Sequence, residues 1–299
     1  AEPPMTVSLD SGAVDLGRRH PEWLPWLTVI EQVLREATDT KWQAFVPEPR
    51  KAQQSRAPLL DGATLDLDPT VVAGWSHRLL RAAYESGAPK MSALDGSKRA
   101  RLNTMDLFIA SLRQNWQHLR EKAIDLGMEA DALQAVAALV PVPFLQACQR
   151  RLQPSINASW MEGYCPVCGA WPAFAEVRGI ERSRYFRCGR CGGGWQAQCL
   201  VCPFCAMTDH NELVSLVPEK NGSNAVIDAC KRCLGYVKTF TTLQGSAPVK
   251  VLVDDLASVD LDIAALELGY RRLTGAGYVL DVGVVTKPSL RGRIASWLT

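Results

Sequence analysis

Four Cys-x-x-Cys pairs constrain this chain more than any other feature: Cys165/Cys168, Cys188/Cys191, Cys202/Cys205 and Cys230/Cys233. A Cys-x-x-Cys turn brings two thiolates within reach of one ion, and a second turn from a distant strand completes a tetrahedron. Paired in sequence order, the cysteines give C-x2-C-x19-C-x2-C and then C-x2-C-x24-C-x2-C. Each set has the layout of a ribbon: turn, hairpin, turn. Pro166 and Pro203 follow the first cysteine of their pairs, where a fixed φ helps form the turn. Gly169 and Gly192 follow the second cysteine, where a left-handed residue lets backbone N–H groups point at sulfur. The third pair departs, with Ala206 where glycine is expected.

The competing readings are a set of disulfides or four redox pairs. Redox Cys-x-x-Cys pairs come singly, at the start of a helix in a βαβ context that is absent here. Metal is therefore the preferred reading, and zinc and iron both accept four thiolates in a tetrahedron. Four protein ligands leave no open coordination position, so neither site reads as a catalytic hydrolytic metal. His20, His77, His118 and His210 are scattered, and the chain has no Walker loop, dinucleotide glycine fingerprint or nucleophile elbow. The expectation is a protein that is not an enzyme. Of the two remaining cysteines, Cys148 sits in a helical pattern and reads as core. Cys199 extends Cys202 and Cys205 to C-x2-C-x2-C and reads as a packed strand residue, with a spare ligand or reactive thiol as alternatives.

The 299 residues divide into three stretches by their grammar. Residues 1–158 read as a helical domain. Trp23, Trp26, Leu27, Ile30, Val33, Leu34 and Ala37 share one helical face. Asp68-Pro69 starts a second helix carrying Val72, Trp75, Leu79 and Ala83. A third begins near Asn103 and buries Met105, Phe108, Leu112, Trp116 and Leu119; two short ones fit Ala130–Leu139 and Val142–Leu152. Glu48 to Asp68, rich in Pro, Gly and polar residues, reads as a loop, and the tryptophans read as core. Residues 159–247 hold the cysteine pairs and short alternating runs, Arg184–Arg187 and Gly235–Phe240, that predict strands. Residues 248–299 form a C-terminal helix and tail. Leu256, Val259, Ile263, Leu266 and Tyr270 mark one amphipathic helix ending near Gly275, and the tail holds a strand and a short helix. The fold class is α+β: a helical domain, two tandem zinc-ribbon or rubredoxin-like modules, and a C-terminal helix.

Composition narrows the setting. Ala1–Asp10 lacks the charged start and apolar run of a signal peptide, and Arg18-Arg19 reads as part of a helix, not as a twin-arginine signal. The longest apolar stretch, Ala132–Leu145, is cut by Pro141 and Pro143, so no membrane span is expected. Clustered cysteines in a chain of this kind point to a cytoplasmic protein with reduced thiols. A formal charge of +2 gives no global argument for nucleic acid.

The motifs together resemble the formate dehydrogenase accessory protein family, FdhE. The marks are Cys165-Pro166-Val167-Cys168-Gly169, Cys188-x-x-Cys191 with Trp195, and Cys230-x-x-Cys233-x-Gly235-Tyr236-x-Lys238. Asp254–Asp262 and Gly269-Tyr270-Arg271 complete them. The likeness runs from Gly163 to Arg272, and the N-terminal half is only loosely similar. The resemblance implies a cytoplasmic maturation chaperone. It would bind the catalytic subunit of a respiratory, molybdenum-containing formate dehydrogenase before that subunit leaves by the twin-arginine route. The eight paired cysteines match the family's metal positions, which hold iron or zinc. Two other readings compete: a rubredoxin-like iron redox protein, and a zinc-ribbon nucleic-acid binder. The last rests on Arg178, Arg182, Arg184, Arg187 and Arg190 along one hairpin, for which a solvated face is the simpler reading.

Overall fold

Helical periodicity in the first half resolves into a bundle in the computed structural model, which describes residues 11–49, 56–217 and 224–286. The expectations for Ala1–Asp10 and for the end of the tail, 287–299, lie outside the described residues. The helices are α1 (Ser11–Arg19), α2 (Leu24–Ala37), α3 (Pro69–Glu85), α4 (Gly96–Ala100), α5 (Thr104–Leu112), α6 (Trp116–Leu126), α7 (Ala130–Ala137) and α8 (Val142–Leu152). Asp68 starts α3 as expected: its carboxylate accepts from the Thr70 N–H at 2.8 Å, and Pro69 fills the first turn. The expected third helix is two, α5 and α6. Gln114 turns left-handed at φ 58°, and the Asn115 side chain caps the new helix by accepting from the His118 N–H. A residue that can cap competes with helix continuation, and here capping wins.

The core of the bundle is aromatic and aliphatic. Trp42 stacks parallel on Phe108 at 6.3 Å, and Phe108 meets Phe144 edge-on at 5.8 Å. Buried Trp75 satisfies its indole N–H on the Val140 carbonyl at 2.8 Å. Cys148 is buried in α8, as expected. By length and composition Ala130–Ser155 is apolar enough to cross a membrane, yet 78% of its apolar window is buried inside the protein.

Six strands position the cysteines. Strands β2 (Phe174–Arg178), β3 (Ser183–Arg187) and β4 (Gly194–Gln196) form one antiparallel meander; β5 (Leu213–Leu216), β6 (Ala225–Cys230) and β7 (Tyr236–Thr242) form a second. The parallel pairing of β2 with β7 fuses them into one six-stranded sheet of order β4-β3-β2-β7-β6-β5. The two ribbons are therefore halves of a single sheet. The first shares the hydrophobic core of the bundle, whereas Ile227, Ala229, Tyr236 and Ala265 form a small separate cluster under the second.

Two expectations change. Glu48–Asp68 is not all loop: β1 (Thr64–Leu67) pairs in parallel with β8 (Gly283–Thr286), burying Leu65 and Leu67. A four-residue strand whose partner lies more than 200 residues away leaves too short an alternation to read. The single C-terminal helix is α9 (Val251–Ala257) and α10 (Val259–Glu267), broken at Ser258. Its expected apolar face is also partly wrong. Ile263 and Leu266 are 44% and 57% exposed, while Asp255 and Asp262 turn inward to a buried lysine.

Candidate metal centres

The structure gathers the eight paired cysteines into two groups of four, Cys165, Cys168, Cys188 and Cys191, then Cys202, Cys205, Cys230 and Cys233. Within each group the sulfurs lie within 4.8 Å of one another. In the first, Cys165 Sγ is 3.5 Å from Cys191 Sγ, and Cys168 Sγ is 3.5 Å from Cys188 Sγ. In the second, the pairs Cys202/Cys233 and Cys205/Cys230 each stand at 3.7 Å. Disulfide sulfurs would lie about 2.05 Å apart. Four thiolates about 2.3 Å from a zinc ion have edges of about 3.8 Å. The donor set and its spacing therefore suit a tetrahedral ion, and all ten cysteines are free thiols.

One backbone device builds all four turns. The N–H of Gly169, Gly192, Ala206 and Leu234 donates to the carbonyl of Cys165, Cys188, Cys202 and Cys230, at 2.9, 2.9, 3.0 and 2.9 Å. In return the N–H of each of those four cysteines donates at 2.9 Å to the carbonyl of Ala170, Gly193, Met207 or Gly235. The residue after the second cysteine is left-handed every time, with φ of 69°, 75°, 54° and 59°. Backbone N–H groups then reach sulfur: Gly193 to Cys191 and Gly235 to Cys233, both at 3.4 Å. Ala206, the departure seen in the sequence, adopts the same conformation as the glycines.

Burial explains why two turns need glycine and two do not. A Cβ on Gly169 would stand 2.6 Å from the Tyr278 carbonyl oxygen, and one on Gly192 would stand 2.2 Å from that of Pro248. The first group is roofed by backbone. The Leu59 N–H donates to the Pro166 carbonyl at 2.7 Å and the Tyr278 N–H to the Gly169 carbonyl at 2.9 Å. All four of its cysteines are fully buried, whereas Cys205 and Cys233 of the second group are partly exposed. At Ala206 and Leu234 only the φ cost, about 1–2 kcal/mol each, opposes a side chain.

The electrostatics favour a cation in both groups. Burial pushes the Cys165 and Cys202 thiols well above their ordinary value. Desolvated thiols stay protonated unless a nearby positive charge stabilises the thiolate, which a divalent ion does. Around the first group, Glu176 and Arg187 form a buried brace at 3.4 Å, and Arg187 also donates to the Gly192 carbonyl at 3.0 Å. Burial pushes Glu176 up, but the Ser246 N–H and the Arg178 and Arg187 guanidiniums outweigh it and hold the carboxyl below its ordinary value.

Beside the second group lies a charge network made of residues that the motif reading named without assigning a role. Lys238 is fully buried and reaches Asp255 Oδ1 and Asp262 Oδ2, both at 2.8 Å. Arg272 pairs with the same two carboxylates, and the Tyr236 hydroxyl donates to Asp262 at 2.7 Å. The network ties β7 to α9, α10 and the segment after them. Its sequence signals were Tyr236, Lys238 and the Asp254–Asp262 run, which stood in the sequence only as marks of the resemblance.

Two further expectations are corrected. Cys199 is exposed, outside both groups, and is not a packed strand residue. The hairpin arginines are not one solvated face. Arg187 is buried on Glu176, and Arg184 is buried and pairs with Asp228 at 3.1 Å. Arg190 donates to the Ser111 and Leu112 carbonyls at the end of α5, at 2.6 and 3.3 Å. Arg182 is exposed at the hairpin tip. These side chains hold the sheet to itself and to the bundle.

Residues 198–279 match the family described as FdhE, C-terminal domain. An FdhE homolog of Aquifex aeolicus (strain VF5) is 24% identical over 218 residues, 71% of each chain. An FdhE homolog of Pseudomonas aeruginosa is 32% identical over 114 residues, and Protein FdhE of Escherichia coli O127:H6 is 32% identical over 112. Those two matches span 37% and 35% of the relatives' lengths. The fold is similar to the crystal structure of the FdhE protein from Pseudomonas aeruginosa, with a TM-score of 0.54 and 20% identity, over 91% of this chain and 94% of that one. The fold likeness thus takes in the helical half, where the motif resemblance was loose. The matched C-terminal segment, the relatives and the shared fold agree in their likeness to FdhE proteins.

Proposed function

We propose that this protein is a cytoplasmic maturation chaperone, not an enzyme, for a respiratory molybdenum-containing formate dehydrogenase. It binds the catalytic subunit before twin-arginine export and is needed for that subunit's activity. Cys165, Cys168, Cys188 and Cys191 hold one ion, and Cys202, Cys205, Cys230 and Cys233 hold the other, each iron or zinc. With every position taken by protein sulfur, the ions serve as cross-links that supply folding free energy. The helical part (1–158), the double ribbon (159–247) and the C-terminal helices and tail (248–299) then act as one docking body.

The observation that carries this reading is what the segment similar to the FdhE C-terminal domain contains. Residues 198–279 hold the whole second cysteine group together with α9 and α10, which Lys238 ties to the sheet. The test is oxygen-free affinity purification from the native host, with captured proteins identified by mass spectrometry. Recovery of a formate dehydrogenase catalytic subunit, lost in the C165S/C168S variant, is the expected result. Capture of no dehydrogenase by the wild-type protein would overturn it.

A redox role is the second reading, favoured by the partial exposure of Cys205 and Cys233. A four-cysteine iron centre near the surface can pass one electron. Reversible visible absorption in protein purified without air supports it, and a colourless zinc-only protein excludes it.

A further inference from the structure

The helical half carries a charged cleft far from the cysteines in sequence. On α3, Arg81 stands three residues after Arg78 and four after His77, so the exposed side chains of all three emerge on one face. Arg99 of α4 closes the opposite wall. With Gly96 and Ala100 these residues line a cleft of about 290 Å³, and none of them is acidic. Glu36 reaches Arg78 at 2.9 Å from one side, but its single charge is shared with Lys41 at 2.5 Å. Among the described residues, Arg81 and Arg99 have no ion-pair partner. Three guanidiniums around one cleft repel each other unless an anion joins them.

Two of the three are held in place beforehand. The Arg99 guanidinium lies 4.9 Å from the centre of the Tyr84 ring, and Arg78 is fixed by Glu36 and lies 5.8 Å from the Trp75 ring. Cations fixed in advance lose less side-chain freedom when a ligand arrives.

We propose that this cleft docks an acidic stretch of a partner protein, its carboxylates taken by Arg78, Arg81 and Arg99. Guanidinium forks match carboxylates bidentately, and spacing by one helical turn suits successive acidic side chains. A phosphate cradle needs backbone N–H groups, and those of Ser97 and Lys98 at the start of α4 are already taken by the Asp95 carboxylate. A single nucleic-acid strand needs aromatic faces to stack on. Here Trp75 is buried, and Tyr84, 40% exposed, already carries the Arg99 guanidinium over its ring.

The test is fluorescence anisotropy of the full chain with a fluorescein-labelled glutamate-rich peptide. Binding is expected to weaken with added salt and to fall about tenfold or more in R81E/R99E. R81K/R99K, which keeps charge and loses the forks, is expected to fall between. Unchanged binding in R81E/R99E overturns the proposal, as does tighter wild-type binding of pyrophosphate or a polyuridine strand. If melting shows that R81E/R99E has unfolded, R81E alone carries the test, because Arg81 is exposed. The inference does not rest on the dehydrogenase reading: the peptide tests this cleft, and dehydrogenase capture tests that one.

Discussion

Lys238 and Asp255 meet at 2.8 Å with the lysine wholly removed from solvent. Removing one partner of a buried pair strands a charge, which costs about 3–5 kcal/mol. K238A leaves Asp255 and Asp262 to share the one guanidinium of Arg272, with the Tyr236 hydroxyl still on Asp262, so a loss of that order is expected in urea unfolding. K238M, which fills the space, also strands the carboxylates and is expected to lose a similar amount. A K238M/D255L/D262L triple substitution should recover part of it. Hydrogen exchange should show the loosening first in α9 and α10.

The same pair sets a pH dependence. Burial pushes Asp255 up, yet Arg272 and Lys238 outweigh it and hold it below the ordinary 3.8. A depressed folded pKa means the unfolded chain binds the proton more readily, so the contribution is complete above the unfolded value and disappears as pH falls through the folded one. Wild type should therefore exceed D255N in stability above about pH 4, and the gap should close below it. Urea midpoints measured across that range check this; a gap independent of pH would show that the carboxylate charge is not what matters.

Both cysteine groups are expected to fill, giving two ions per chain by elemental analysis. C165S/C168S should lose one. Burial differs between them, so a strong chelator should extract the second group's ion well before the first, because Cys205 and Cys233 are partly exposed and the first group is closed on all sides. Equal rates of release would mean that the roof over the first group opens as readily as the surface of the second.

The glycine-versus-side-chain contrast is testable by substitution. G192A adds a Cβ that meets the Pro248 oxygen at 2.2 Å, at φ 75°, and should cost more than about 2 kcal/mol together with metal at the first site. A206G relieves a left-handed alanine with nothing to clash against. It should be neutral or stabilising by up to about 1 kcal/mol. Thermal unfolding of the metal-loaded proteins separates the two.

The cysteine grouping and the helical bundle were legible in the sequence because each has a short-range signature: a fixed spacing, a cap, a repeat of three and four. Asp68-Pro69 and Cys165-Pro166-Val167-Cys168-Gly169 each declare their geometry within a few residues. What stayed hidden depends on distant partners. Asp255 and Asp262 invert the face of the C-terminal helices only because Lys238 is buried beneath them. Arg187 and Arg190 look like a surface stripe until Glu176 and the end of α5 are found beside them. The β1–β8 ladder needs residues near 65 and 285 at once, and no local pattern announces that.

That ladder has a consequence for synthesis. The first cysteine turn is capped by Tyr278 and sits beside Leu59, while Leu65 lies against Val284. A ribosome makes all four cysteines of the first group more than eighty residues before it makes Tyr278, which roofs them. The nascent chain therefore passes through a stage in which this site is complete in sulfur but still open to solvent. At that stage an ion can enter without the mature protein having to unfold, before the segment that carries Tyr278 closes over the site.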